Sequence, residues 1–168
     1  MNSRRLFFAC WPDEVRRQAI VERRGLIDGL SRRRVPDHNL HLTLLFLGNQ
    51  PAEQLLPIQA LADKISATRF DFCLDSFGWF PGARVAWLGG DPPPEAVRLV
   101  DELSIEMIGL GLKFDRRPFH PHITLFRQVK ARPDLPACPY LRWPIREFAL
   151  IESIPSRPYQ VLRTWSLS

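Results

Sequence analysis

The chain has little cysteine, little lysine, and very little histidine or threonine. Cys10, Cys73 and Cys138 are odd in number, far apart and form no CxxC pair, which argues against a disulfide framework and against a thiolate zinc site. That usage suits a reducing cytoplasm. No stretch approaches the ~18 consecutive apolar residues of a membrane span. Ser3-Arg4-Arg5-Leu6-Phe7-Phe8 has the look of a twin-arginine export signal, but its apolar run stops at Pro12-Asp13-Glu14, too soon for a signal core. A soluble cytoplasmic protein with no membrane partner is therefore expected. Lysine is scarce for a basic chain: 3 Lys stand beside 20 Arg, and the formal net charge is +5. Arginine suits bidentate phosphate contact, although a GC-rich genome would produce the same bias.

The scarcity of histidine and threonine makes their arrangement informative. The 168 residues hold four of each, yet His41-Leu42-Thr43-Leu44 recurs as His122-Ile123-Thr124-Leu125. Scattered at random, two of the four His would each have Thr two places on with a probability of about 0.3 per cent, the false-positive risk attached to the motif. A strand sends residues i and i+2 to one face and their neighbours to the other. Each copy would bury two aliphatic residues and present an imidazole beside a hydroxyl.

At 168 residues, with 45% hydrophobic and 24% charged residues, the chain suits one globular domain or two intimately packed lobes. Leu6 to Trp11 reads as a buried strand. Pro12-Asp13-Glu14 opens a helix with Val15, Ala19, Leu26 and Leu30 as its apolar stripe. Ser31-Arg32-Arg33-Arg34 reads as a solvated basic loop. His41 to Leu47 is a strand closed by Gly48, and Pro51 to Ser66 a helix interrupted by Pro57. Phe70 to Trp79 and Val85 to Leu88 read as a hairpin. Asp91-Pro92-Pro93-Pro94 starts a helix carrying Ala96, Val100, Leu103, Met107 and Leu110, stopped by Gly111. Phe119 to Arg127 is the second motif strand. Lys130 to Pro144 reads as an unstructured Pro-rich connection, before closing strands at Phe148 to Ile154 and Gln160 to Leu167. This mixed order points to an α+β fold. Motif strands in corresponding halves are consistent with an internal duplication.

Three readings of the histidines are open. They can be hydrogen-bonded core groups. They can ligate a metal, since His38, His41, His120 and His122 supply four imidazoles, but neither motif holds a carboxylate and the Thr would go unexplained. Or they can be a paired acid and base on a phosphodiester. In-line cleavage needs a base on the attacking oxygen and an acid on the leaving oxygen, and imidazole, with a pKa of about 6.5, serves either role. Two hydroxyls beside them would bond the phosphoryl oxygens where charge gathers.

The two motifs and their flanks resemble the two-histidine (2H) phosphoesterases. Those flanks are Arg5-Leu6-Phe7-Phe8-Ala9, Asn39-Leu40 before the first motif, Arg84-Val85-Ala86-Trp87-Leu88-Gly89, and Arg117-Pro118-Phe119-His120-Pro121 before the second. Together they are similar to the RNA 2′,3′-cyclic phosphodiesterase (LigT-like, 2′-5′ RNA ligase) branch. The resemblance implies an α+β fold of two pseudo-symmetric antiparallel-sheet lobes spanning 1–168. Helices would pack outside, and both motifs would line a central groove. It implies hydrolysis of an RNA-terminal 2′,3′-cyclic phosphate to a 2′-phosphate with no metal or other cofactor, and reversible 2′-5′ ligation. The protein is expected as a monomer acting on such RNA ends. His41 would be the proton donor, His122 the base, and Thr43 and Thr124 the phosphate-oxygen ligands. Arg127 would steady the phosphate or nucleotide, but strict alternation puts it on the wrong face unless the strand twists near Phe126. Arg117 is the alternative. Phe46, Phe126 and Trp79 are candidates to stack a base, each also readable as core. Competing functions are cleavage of 2′-5′ oligonucleotides or small cyclic nucleotides, and a non-catalytic RNA-end binding module.

Overall fold

The computed structural model describes residues 2–168. The first apolar run forms strand β1 (Ser3–Cys10), buried from Leu6 to Cys10. A strand covered on both faces needs no polar alternation, hence the unbroken run. β3 (Leu42–Pro51), β9 (Glu147–Ser153) and β10 (Gln160–Ser166) join it in a sheet ordered β10-β9-β1-β3. A second sheet holds β2 (Arg33–Arg34), β5 (Ser76–Phe80), β6 (Val85–Gly89) and β7 (His122–Arg127), ordered β2-β7-β6-β5. β4 (Phe70–Leu74) and β8 (Leu141–Ile145) form a separate pair. Every pairing is antiparallel. With three α-helices among the described residues, the architecture is α+β.

Helix α1 (Glu14–Gly25) starts as expected: the Asp13 carboxylate accepts from the Arg16 backbone N–H at 2.8 Å, and Glu14 lies at the positive end. Its buried face differs from the expected stripe. Val15 is 71% and Leu26 53% exposed, whereas Ile20, Arg24 and, just beyond, Ile27 are buried. Arg24 takes the inner position because its guanidinium donates to the Val35 carbonyl at 2.8 Å and to the Asp37 carboxylate. It thereby braces the segment that leads to His41. Arg24→Met is expected to cost about 2 kcal/mol, chiefly because the buried Val35 carbonyl loses its donor, the Asp37 carboxylate being open to water. A urea midpoint equal to that of the unaltered protein would contradict this.

Helix α2 (Leu55–Ala62) is shorter than expected: Pro51 belongs to β3, and Ala52–Gln54 is a 3₁₀ turn. Pro57 sits in the first turn, where backbone N–H groups have no intrahelical acceptor to lose. Helix α3 (Pro94–Gly109) buries Ala96, Leu99, Val100, Leu103 and Met107, and Gly111 follows it at φ 83°, a left-handed exit suited to glycine.

The expected hairpin divides. β5 pairs with β6, but β4 pairs with β8 instead, inside the stretch read as unstructured. Pro144 hid that strand. It is tolerated because both strands of a two-stranded sheet are edges, with half their backbone groups unpaired.

The two motif strands share an irregularity. Along the β1–β3 pairing, Phe8 faces Leu45 and Ala9 faces Thr43, leaving Leu44 as the extra residue of a bulge. Along β6–β7, Ala86 faces Phe126 and Trp87 faces Thr124, leaving Leu125 extra. Each bulge sends two successive residues to the core and reverses the alternation beyond it. The exposure pattern over 41–46 is accordingly the same as over 122–127.

Candidate active site

His41 immediately precedes β3, and its Nδ1 donates to the Asn39 carbonyl at 2.6 Å. His122 opens β7, and its Nδ1 donates to the His120 carbonyl at 2.7 Å. In each motif the carbonyl two residues upstream can only accept, so it selects the tautomer with the proton on Nδ1 and leaves the Nε2 lone pair available. The Thr43 hydroxyl lies 2.9 Å from Nε2 of His41 and donates to it while the imidazole is neutral.

Aromatic side chains cushion both rings. Phe7, Trp11 and Tyr159 lie 5.1, 5.2 and 5.3 Å from the His41 ring, above a small apolar cluster of Phe7, Ala9, Ala149 and Ile151. Phe80 and Trp87 lie 5.0 and 6.2 Å from His122. Burial is the main reason that His41 is lowered to a pKa of about 4. The Asn39 carbonyl opposes the shift, and the charges of Arg127 and His122 add to it. His122 is also lowered, chiefly by burial, with the charges of His120 and Arg127 contributing against the pull of the His120 carbonyl. β3 and β7 lie against one another, and Arg127 acts on both imidazoles.

That role for Arg127 follows from the bulge at Leu125. Strict alternation would turn it away from His122. Instead Leu125 and Phe126 both enter the core, and Arg127 returns, exposed, to the motif face. Arg117 is placed otherwise: its side chain is 79% exposed and its guanidinium pairs with Asp115. Phe46 occupies the place in β3 that Arg127 has in β7. It is 37% exposed, 6.4 Å from Phe7, with the Arg5 guanidinium 4.7 Å above its ring. Phe126 is buried, and the Trp79 indole N–H donates to the Val129 carbonyl at 3.0 Å while its ring packs on the core. Of the three aromatic candidates, only Phe46 offers an open ring beside a motif.

Sequence reasoning missed the cushions. Their signal was the strands flanking the motifs: Phe7 and Trp87 stand on β1 and β6, the direct partners of β3 and β7. Trp87 rests on Gly78, its cross-strand partner. A Cβ on Gly78 would meet the indole at 2.1 Å. Gly78→Ala is expected to displace Trp87, open His122 to water and raise its pKa toward about 6.5. NMR titration of His122 would read the shift, and an unmoved value would refute this role. Among the described residues, no group of three His, Cys, Asp or Glu is placed to hold a metal ion, and His38 stands exposed on the 3₁₀ turn Asp37–Asn39.

Residues 11–154 match the family model described as the 2′-5′ RNA ligase superfamily. The RNA 2′,3′-cyclic phosphodiesterase of Escherichia coli K12 is 37% identical, the match covering 98% of this chain and 97% of that protein. The RNA 2′,3′-cyclic phosphodiesterase of Thermus thermophilus is 35% identical over 97% of this chain and 90% of that one. Among solved structures, E. coli LigT complexed with 3′-AMP superposes with a TM-score of 0.88 at 34% identity, covering 99% of both chains.

Proposed function

This chain belongs to the 2′-5′ RNA ligase superfamily, and we propose from that membership that it hydrolyses the 2′,3′-cyclic phosphate at RNA ends to a 2′-phosphate. The observation that carries the reading is the pair of HxT strands, each presenting Nε2 of a carbonyl-anchored imidazole, with Arg127 acting on both.

In this mechanism water attacks phosphorus in line with the P–O3′ bond. His122 Nε2 takes the water's proton, and a protonated His41 Nε2 gives its proton to the departing O3′. The new P–O bond forms as P–O3′ breaks, and the 2′ ester remains. Thr43 and Thr124 donate to the non-bridging oxygens, and Arg127 balances their charge. Thr43 is free to do so because its hydroxyl leaves Nε2 once that nitrogen is protonated. Phe46 provides a stacking face for the terminal base. No step needs a metal or a cofactor. The protein acts as a monomer, with 1–168 forming one domain of two pseudo-symmetric lobes around a groove. Run in the same direction, with an RNA 5′ hydroxyl attacking phosphorus in place of water and O3′ again leaving, the same groups would form a 2′-5′ linkage.

Both imidazoles titrate below their ordinary value in the free protein. With both neutral there is no acid, and with both charged there is no base. kcat/KM, which reports the free enzyme, is therefore expected to peak below about pH 6.5 and fall above it. A peak above neutrality would count against this pairing.

The direct test incubates the protein with a short RNA ending in a 2′,3′-cyclic phosphate, with EDTA present. Conversion to the 2′-phosphate supports the reading. Binding without conversion points to an end-binding module. Conversion of 2′-5′ oligonucleotides alone moves the substrate within the family.

A further inference from the structure

The basic run Arg32-Arg33-Arg34 takes no part in the chemistry above, and it is not the free loop its charge implied. Arg33 and Arg34 form β2, paired antiparallel with the end of β7, with Arg33 opposite Arg127. The register is pinned on both sides. The Ser31 hydroxyl donates to the Arg127 carbonyl and accepts from the Arg33 N–H at 3.0 Å, and the Val35 N–H donates to the Leu125 carbonyl at 2.9 Å.

Directly opposed residues of an antiparallel pair send their side chains to one face, and like charges there repel. Arg33 thus stands beside Arg127 on the face that carries the imidazoles, its Cα about 5 Å from that of Arg127. Neither arginine has an ion-pair partner among the described residues. Where this strand pair ends, Gln128 at φ 56° turns the chain. An open groove of about 540 Å³ follows, lined by Arg32, Lys130 and Arg132 among others and by no carboxylate. Five cations so arranged, two of them set side by side, call for an anion with repeated charges.

We propose that Arg33 binds the backbone phosphate on the 5′ side of the cyclic end, and that the groove at Arg32, Lys130 and Arg132 takes the phosphates beyond it. The site makes the enzyme selective for an RNA chain over a mononucleotide. This rests on the RNA-end reading given above. Arg127 holds the reacting phosphate, and its cross-strand neighbour is one backbone step away.

The test compares kcat/KM on a 2′,3′-cyclic mononucleotide with kcat/KM on an RNA of several nucleotides bearing the same end. In the unaltered protein the RNA is preferred. Arg33→Ala is expected to reduce the ratio about tenfold, with Arg33→Lys recovering part of it and Arg33→Glu reducing it further. The dependence of log kcat/KM on log salt should become shallower by about 0.7 on the RNA, the contribution of one single-strand phosphate contact. The Arg33 side chain is exposed on the edge strand β2, so melting temperatures should match. A ratio unchanged in Arg33→Ala and Arg33→Glu overturns the proposal, as does an equal loss on both substrates, which would make Arg33 a mere support for Arg127. An unaltered protein that opens the mononucleotide with no preference for RNA defeats the groove alone. One that opens neither defeats the RNA-end reading, and the groove with it.

Discussion

Alanine at His122, or at His41, is expected to slow opening of a cyclic RNA end about a thousandfold or more. In the proposed mechanism each imidazole moves one of the two protons, and a positioned acid or base contributes roughly 10²–10⁴. The two act as a unit, so the double variant should be little worse than either single one. His41 gives the sharper case. Phe7, Trp11 and Tyr159 hold it away from water, and it rests with a pKa of about 4, so it must gain its proton with the anionic substrate. Its loss should therefore lower kcat far more than it raises KM, as for a group used in the transition state. EDTA should leave the rate of the unaltered protein intact. Single-turnover opening of end-labelled RNA measures all of this. A His41→Ala protein retaining a tenth of the activity would remove His41 from the chemistry.

The second large effect is expected at Arg127. Removing a charge placed where negative charge develops costs about a hundredfold in rate, and Arg127→Lys should recover only part, because lysine keeps the charge but not the two-pronged contact. A second readout separates this from simple loss of binding. Arg127 pushes down the pKa of both imidazoles. Its positive charge disfavours their protonated forms, so Arg127→Ala should raise both values. NMR titration of His41 and His122 in the free protein follows this directly. If neither value rises, the guanidinium does not share the site in solution.

Both effects depend on features that differ in how far a single sequence reveals them. The recurrence of His41-x-Thr43 as His122-x-Thr124 needs only the pleat of a strand to place an imidazole and a hydroxyl side by side. Asp13 capping α1, the periodicity of Ala96, Val100, Leu103 and Met107, and the closing strands β9 and β10 were legible for the same reason: each is local and regular. The hairpin drawn from Phe70 to Leu88 held for β5 and β6 but not for Phe70–Leu74, because β4 finds its partner some 70 residues later, in a segment whose prolines mask it. The burial of Arg24 was not legible, because a buried cation looks, in sequence, like any other arginine of a polar face. Its acceptors, Val35 and Asp37, come from beyond the helix.

By itself the sequence determined the residue chemistry, the α+β class and the four groups of the two motifs, because these follow from composition and from short periodicities. Only the tertiary structure decided which way Arg127 and Phe46 face. A bulge is one residue of mismatch between two paired strands, invisible in either strand alone, and it reverses every side chain beyond it. The pairing of β1 with β3 and of β6 with β7 sets those mismatches at Leu44 and Leu125. The pairing of β2 with β7 likewise turned a basic run into a neighbour of Arg127. Such registers are settled by long-range packing, where burying Leu45 and Phe126 outweighs the regular alternation of their strands.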